Sequence, residues 1–314
     1  MRGDLWARLF APRHVLGTLG RLVLFVIALG VAGAAFGLLA RMALARLPGA
    51  GGTPEGAWQL TLSALTGLLA ALVAGWVVLA VMDRRPPGAL GFAWTRATPR
   101  QLAIGLGIGA AAQGVAVLVI LAAGRLAWVP DAGTAGGYAL ELLRDLAIFG
   151  VAAAAEEALF RGYPLQVLTE GFGPVVATVV LSGAFALAHR NNPNVDAVAL
   201  VNIFLAGVLL SIAYLRTRSL WFATAVHVGW NWAMATLFAL PVSGLSIVDT
   251  PLYDARLGGP RWLTGGAFGP EAGIAGAVGF VAALAGVALL PGLREDPELR
   301  ALRPLVDSRF EDAR

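Results

Sequence analysis

The stretch ALELLRDLAIFGVAAAAEEALFRG, residues 139–162, decides how this chain is read. It is uniformly apolar from Leu146 to Ala155, and then two adjacent carboxylates, Glu156 and Glu157, stand with Arg161 just beyond them. Residues 139–160 approach the ~20 apolar residues a helix needs to cross a bilayer. Ionisable groups are costly at that depth and mark function by default. Glu157 and Arg161 are spaced i, i+4 and share a helix face. Glu156 is turned about 100° away from Glu157, as the helical repeat dictates. The two acids therefore have different tasks. Glu157 pairs with Arg161 and fixes the helix, while Glu156 offers a carboxylate to the interior.

Working outward, composition gives the class. Hydrophobic residues make up 58% of the 314 residues and charged ones 13%, with a mean hydropathy of +0.75, against about 25% charged in soluble domains. The fold expected is all-α, a polytopic membrane helical bundle. Eight runs have the length of a span: 22–40, 58–82, 101–124, 139–160, 174–189, 197–215, 220–239 and 271–291. The fourth is predicted to continue as helix toward Glu170, because Gly171-Phe172-Gly173-Pro174 is the first strong break. The 40 glycines suit close helix packing in lipid. With no cysteine, disulfides, a thiol nucleophile and Cys-ligated zinc are excluded. All 23 basic residues are arginine. That bias reads as coding composition, pointing to a bacterial or archaeal plasma membrane rather than to a nucleic-acid partner.

The chain divides into a cytoplasmic segment (1–21), three N-terminal spans (22–138), a core of four spans (139–240), and an interfacial loop, last span and tail (241–314). With both termini in the cytoplasm, sixteen arginines lie inside, Arg2, Arg8, Arg13, Arg161 and five tail arginines among them, against six outside, as the positive-inside rule favours. Tyr253 and Trp262 mark residues 240–270 as an interfacial loop. Trp76, Trp94, Trp128 and Trp221 read as interface anchors, Glu141 and Arg144 as interfacial, and His14 as exposed. Gln113 and Asn202 read as interhelical hydrogen bonders, with Asn202 near enough in sequence to the core to support it.

Two of the three histidines, His189 and His227, lie in apolar runs, each in an i, i+4 pair: Phe185 with His189, and His227 with Asn231. Glu156 lies 16 residues before Phe172 and His189 lies 17 after it, so in an antiparallel hairpin they reach nearly one level. His227 enters from the seventh span, roughly 10 Å deep by the helical rise. These depths agree if the hairpin turn near Thr169-Glu170 protrudes past the headgroups. A carboxylate in a low dielectric suits a general base. His189 can orient the same water, and His227 with the Asn231 amide can donate to a developing oxyanion.

Three motifs now stand in order. Glu156-Glu157-Ala158-Leu159-Phe160-Arg161 fits EExxxR, Phe185 to His189 fits FxxxH, and His227 to Asn231 fits HxxxN. Together they resemble the CPBP family of intramembrane proteases, which includes type II CAAX prenyl endopeptidases and Abi bacteriocin-immunity proteins. The resemblance covers roughly residues 139–240, with Phe204, Gly207 and Ser211 fitting a weaker pattern. It implies an eight-helix membrane core and peptide-bond hydrolysis at the bilayer. By the same resemblance, Glu156 is the water-activating base and His189 its partner. His227 and Asn231 are the oxyanion donors, with Glu157, Arg161, Phe185 and Asn202 in support. A metal-free mechanism with no cofactor is preferred. The alternative is a zinc site built from Glu156, His189 and His227 with an open fourth position; no HExxH helix is present.

Other classes fit parts of the pattern. Intramembrane carboxylates and histidines also build proton pathways in transporters, yet no inverted repeat is visible. A non-catalytic scaffold would retain the same helices. The partners expected are the lipid bilayer and a membrane-anchored peptide or protein substrate. A prenylated CAAX protein is disfavoured in a bacterial or archaeal source.

Overall fold

The structure is a computed structural model that describes residues 12, 14–46 and 57–311; Arg2, Arg8, Arg13 and Arg314 of the charge reading lie outside them. Every apolar run folds as helix: α1 (Val15–Leu44), α2 (Ala57–Met82), α3 (Thr98–Ala122), α4 (Ala135–Glu157), α5 (Tyr163–Phe172), α6 (Pro174–Ala188), α7 (Ala197–Thr217), α8 (Leu220–Trp232) and, after three short helical turns, α10 (Ile274–Leu289), with α9 (Arg261–Thr264) the first of those turns. Among the described residues four helices, α1, α2, α3 and α7, are long and apolar enough to cross a membrane; α6 and α10 are apolar but shorter. On α1, Val23, Val26, Ile27, Val31 and Leu38 are exposed. In a soluble protein a face this apolar would be a liability, whereas against lipid it costs nothing.

Small residues set the central contact. A Cβ on Gly109 of α3 would meet Val226 O at 2.1 Å, and one on Gly229 of α8 would meet Leu106 O at 2.2 Å. Neither backbone can retreat without separating the helices, so glycine at both positions permits the approach. Gly109→Val is expected to cost on the order of 1–3 kcal/mol or more by overpacking, read as a lower midpoint of thermal unfolding in detergent; an unchanged midpoint would remove this packing argument.

The fourth span does continue past Arg161, through a π-helical turn (Ala158–Gly162) into α5. Pro164 has no N–H, and its ring would clash with the carbonyl of Phe160 in a regular helix, so the widened turn answers a local cause. The hairpin turn near Thr169-Glu170 packs against other parts of the protein. Thr169 is fully buried, and Glu170 pairs with Arg21 at 2.6 Å. α5 is covered by α1 and by the tail, which forms two further helices, α11 (Pro297–Ala301) and α12 (Leu305–Glu311). Leu305 N–H donates to Gln166 Oε1, Thr95 Oγ1 donates to Asp296, and Arg218 donates to Asp307 at 2.8 Å.

Three further expectations change. Arg161 is no loop arginine; it is completely buried, so it does not count toward orientation. Gln113 is buried without a hydrogen-bond partner for either amide atom. The 240–270 loop contains a strand, β2 (Tyr253–Leu257), paired antiparallel with β1 (Leu126–Pro130) from Leu126↔Leu257 to Pro130↔Tyr253. Tyr253 donates to Leu237 O, and burial, with Tyr138 beside it, raises its phenol above the ordinary range. Trp262 is exposed, as are Trp76, Trp94 and His14, while Trp128 and Trp221 are partly buried and donate to Phe238 O and Phe92 O. Arg144 pairs with Glu141 and also reaches Asp145.

Candidate active site

Three helix terminations deliver the polar groups. Glu156 and Glu157 end α4 immediately before the first π turn. His189 caps the C-terminus of α6, where Asn191-Asn192-Pro193-Asn194 breaks the helix. His227 and Asn231 lie on α8, whose last residues run into a second π turn, Ala233–Leu237. Glu156, His189, His227 and Asn231 all line one cavity of about 440 Å³. Its remaining walls are largely apolar, drawn from α2, α4, α6, α7, α8 and α10.

The two acids diverge as their angular separation predicts. Glu157 is completely buried and sits 3.0 Å from Arg161 Nη1, which is equally buried. Arg161 Nη2 donates to Gly207 O, and the guanidinium lies 4.4 Å from the centroid of the Phe185 ring. Phe185 thus roofs the ion pair while its carbonyl accepts from His189 Nδ1 at 2.8 Å. Glycine at 207 lets α7 pack closely on α6, since a Cβ there would strike Ser182 at 2.8 Å. Ser211 Oγ donates to the same Gly207 carbonyl.

Glu157 does more than pair with Arg161. Its Oε1 accepts from His227 Nδ1 at 3.0 Å, so Arg161, Glu157 and His227 form one chain. Since a carboxylate and a carbonyl only accept, Nδ1 carries the hydrogen in both histidines and Nε2 is left for the cavity. His227 Nε2 lies 3.8 Å from Glu156 Oε2. That oxygen has no hydrogen-bond partner, although the side chain is about one-third exposed to the cavity. Sequence had paired Glu156 with His189; the structure sets its carboxylate beside His227.

Asn202 stands apart from the cavity. Its amide donates to the backbone carbonyls of Glu271 and Gly273, at 2.8 and 2.9 Å. It therefore holds a cavity wall that the sequence reading did not single out. Glu271 lines the cavity, as do Ser243, Asn192 and Trp230. Glu271 opens the last apolar run, where an acid resembles an ordinary helix-start residue, and its partners lie 28 and 41 residues away.

The alternative zinc ligands Glu156, His189 and His227 all line this cavity. Among the described residues no group of three or more His, Asp or Glu side chains is arranged to hold a metal ion. The carboxylate of Glu157 is engaged by Arg161 and His227.

Residues 139–233 match the family model described as "Type II CAAX prenyl endopeptidase Rce1-like". The match contains all three motifs and ends just after Asn231, so it spans α4 to α8. No curated protein and no solved structure matches the chain.

Proposed function

From residues 139–233 as an Rce1-like domain of the type II CAAX prenyl endopeptidase family, we propose that this integral membrane protein is an intramembrane endopeptidase. It hydrolyses a peptide bond of a membrane-anchored peptide or protein in the cavity lined by Glu156. The observation that carries this reading is convergence: Glu156, His189, His227 and Asn231 leave three separate helices and wall one largely apolar cavity. An apolar chamber with a few directed polar groups suits a lipid-soluble substrate.

In the proposed reaction Glu156 takes a proton from a water whose second hydrogen is accepted by His189 Nε2. The resulting hydroxide attacks the scissile carbonyl carbon. The oxyanion that forms is met by the Asn231 amide and by His227 Nε2–H, with His227 carrying hydrogen on both nitrogens. Its positive charge then lies between Glu157 at 3.0 Å and Glu156 at 3.8 Å. The carbon–nitrogen bond breaks as Glu156 returns its proton to the leaving nitrogen, giving a carboxylic acid and an amine. Glu157 acts by position, since it pairs with Arg161 and its grip on Nδ1 aims Nε2 at the cavity.

The test is mass spectrometry of a membrane-peptide library exposed to the purified protein in liposomes. Defined new termini are expected, at a rate indifferent to a proton gradient and to chelator. Absence of cleavage, together with a gradient-driven flux, would replace the reading with a transporter. Loss of cleavage on chelation, restored by zinc, would replace its metal-free chemistry. Asn231→Ala is expected to lower kcat about 10²–10³-fold, the range for one oxyanion donor, with KM little changed; a change confined to KM would make Asn231 a substrate contact.

A further inference from the structure

Glu271 is a buried carboxylate for which the proposed chemistry has no use. It is 5% exposed and lies at the cavity, and among the described residues its hydrogen-bond partners are neutral donors. Oε1 accepts from Trp230 Nε1 at 3.1 Å. Oε2 accepts from Ser243 N–H at 2.8 Å and from Ser243 Oγ at 2.7 Å. A buried anion without a cation is costly unless it is well hydrogen-bonded. Three charge-assisted bonds from two distant segments meet that need, and they tie those segments together.

Both segments are cavity walls. Trp230 immediately precedes Asn231 and stacks on Phe280 with ring centroids 4.2 Å apart. Ser243 sits in the left-handed region at φ 49°, in the tight turn closed by the Val242↔Leu245 bridge. Val242, Ser243, Leu245 and Ile247 all face the cavity. The turn is fixed on its far side as well. Asn192 Nδ2 donates to Ser243 O, and Asn192 N–H donates to His189 O. A Cβ on Gly244 would strike Pro193 O at 2.0 Å, so the strap lies directly on the loop that follows His189. Asn202, through the Glu271 and Gly273 carbonyls, fixes the backbone that carries the carboxylate.

We propose that Glu271 is a specificity-determining positioning residue: it clamps the Val242–Ile247 strap against α8 and so shapes a wall of the cavity on which the substrate chain rests. The inference rests on the protease reading, but it concerns seating of the substrate and is measurable as binding. Glu271→Gln keeps the shape and one acceptor oxygen while putting an NH₂ where the other oxygen accepts, which breaks one arm of the clamp.

The test measures equilibrium binding of a fluorescent membrane peptide, with cleavage kinetics alongside, for the reconstituted protein with and without Glu271→Gln. Binding is repeated in a Glu156→Gln background, so that turnover cannot disturb it. About tenfold weaker binding and a matching rise in KM are expected, as for loss of hydrogen bonds to a charged group, with kcat within about threefold and the unfolding midpoint retained. Ser243→Ala, which removes only the Oγ donor, is expected to show a smaller shift of the same kind. Unchanged binding overturns the inference, as does a fall in kcat alone. If Glu271→Gln loses folded protein, Ser243→Ala decides in its place, and unchanged binding there overturns the inference. A wild type that binds peptide but never cleaves it would defeat the protease reading while leaving the clamp to be judged on affinity.

Discussion

Glu156→Gln should abolish most cleavage while leaving the fold intact. General base catalysis contributes typically 10²–10⁴-fold, and kcat/KM is expected to fall within that range. The folded state should be indifferent, because Glu156 Oε2 has no hydrogen-bond partner and the nearest cation-forming group, His227 Nε2, stands 3.8 Å away. A glutamine in the same place keeps the volume of the cavity wall and cannot take a proton from water. Activity is measured as initial rate and folding as the thermal unfolding midpoint in the same preparation. A variant that retains near wild-type rates would move the base elsewhere.

The neighbouring acid should behave in the opposite way. Glu157→Leu leaves the Arg161 guanidinium buried without its counter-ion, and breaking a buried pair from one side costs about 3–5 kcal/mol. The expected result is a protein that fails to accumulate or that unfolds at markedly lower temperature. Replacing both partners, Glu157→Leu with Arg161→Met, removes the buried charge altogether and should recover much of the lost stability, since apolar replacement of a whole buried pair is often neutral or better. Cleavage should not return. Without Glu157 the Nδ1 hydrogen of His227 has no acceptor to hold it, so Nε2 is no longer aimed at the cavity. A double variant that is both stable and active would reduce Glu157 to a structural ion pair, the role its spacing from Arg161 suggests when taken alone.

That contrast shows where sequence reading runs short. The i, i+4 spacings of Glu157 with Arg161, Phe185 with His189 and His227 with Asn231 are local, and a helix converts each into a shared face without help from the rest of the fold. The apolar runs are equally local, so the helices themselves were legible. The bond from Glu157 to His227 joins residues 70 apart, and nothing in either run advertises it. The same holds for the β1–β2 ribbon, whose strands are joined by register across more than a hundred residues, and for Glu271 with Trp230 and Ser243. The depth estimate for the hairpin treats residues 139–172 as a regular helix. The structure instead puts a π turn at Ala158–Gly162 and covers α5 with α1 and the tail. The short tail helices could not be foreseen because they owe their stability to tertiary contacts such as Arg218 with Asp307 rather than to their own length.

The most direct measurement is hydrolysis in heavy-oxygen water. A membrane peptide identified as a substrate is incubated with the reconstituted protein in labelled water, and the fragments are weighed. The account predicts one labelled oxygen in the new carboxyl terminus of the amino-side fragment, formed by the wild type and lost with Glu156→Gln. Intact peptide in both preparations, or the same labelled fragment at undiminished rate from Glu156→Gln, would contradict it.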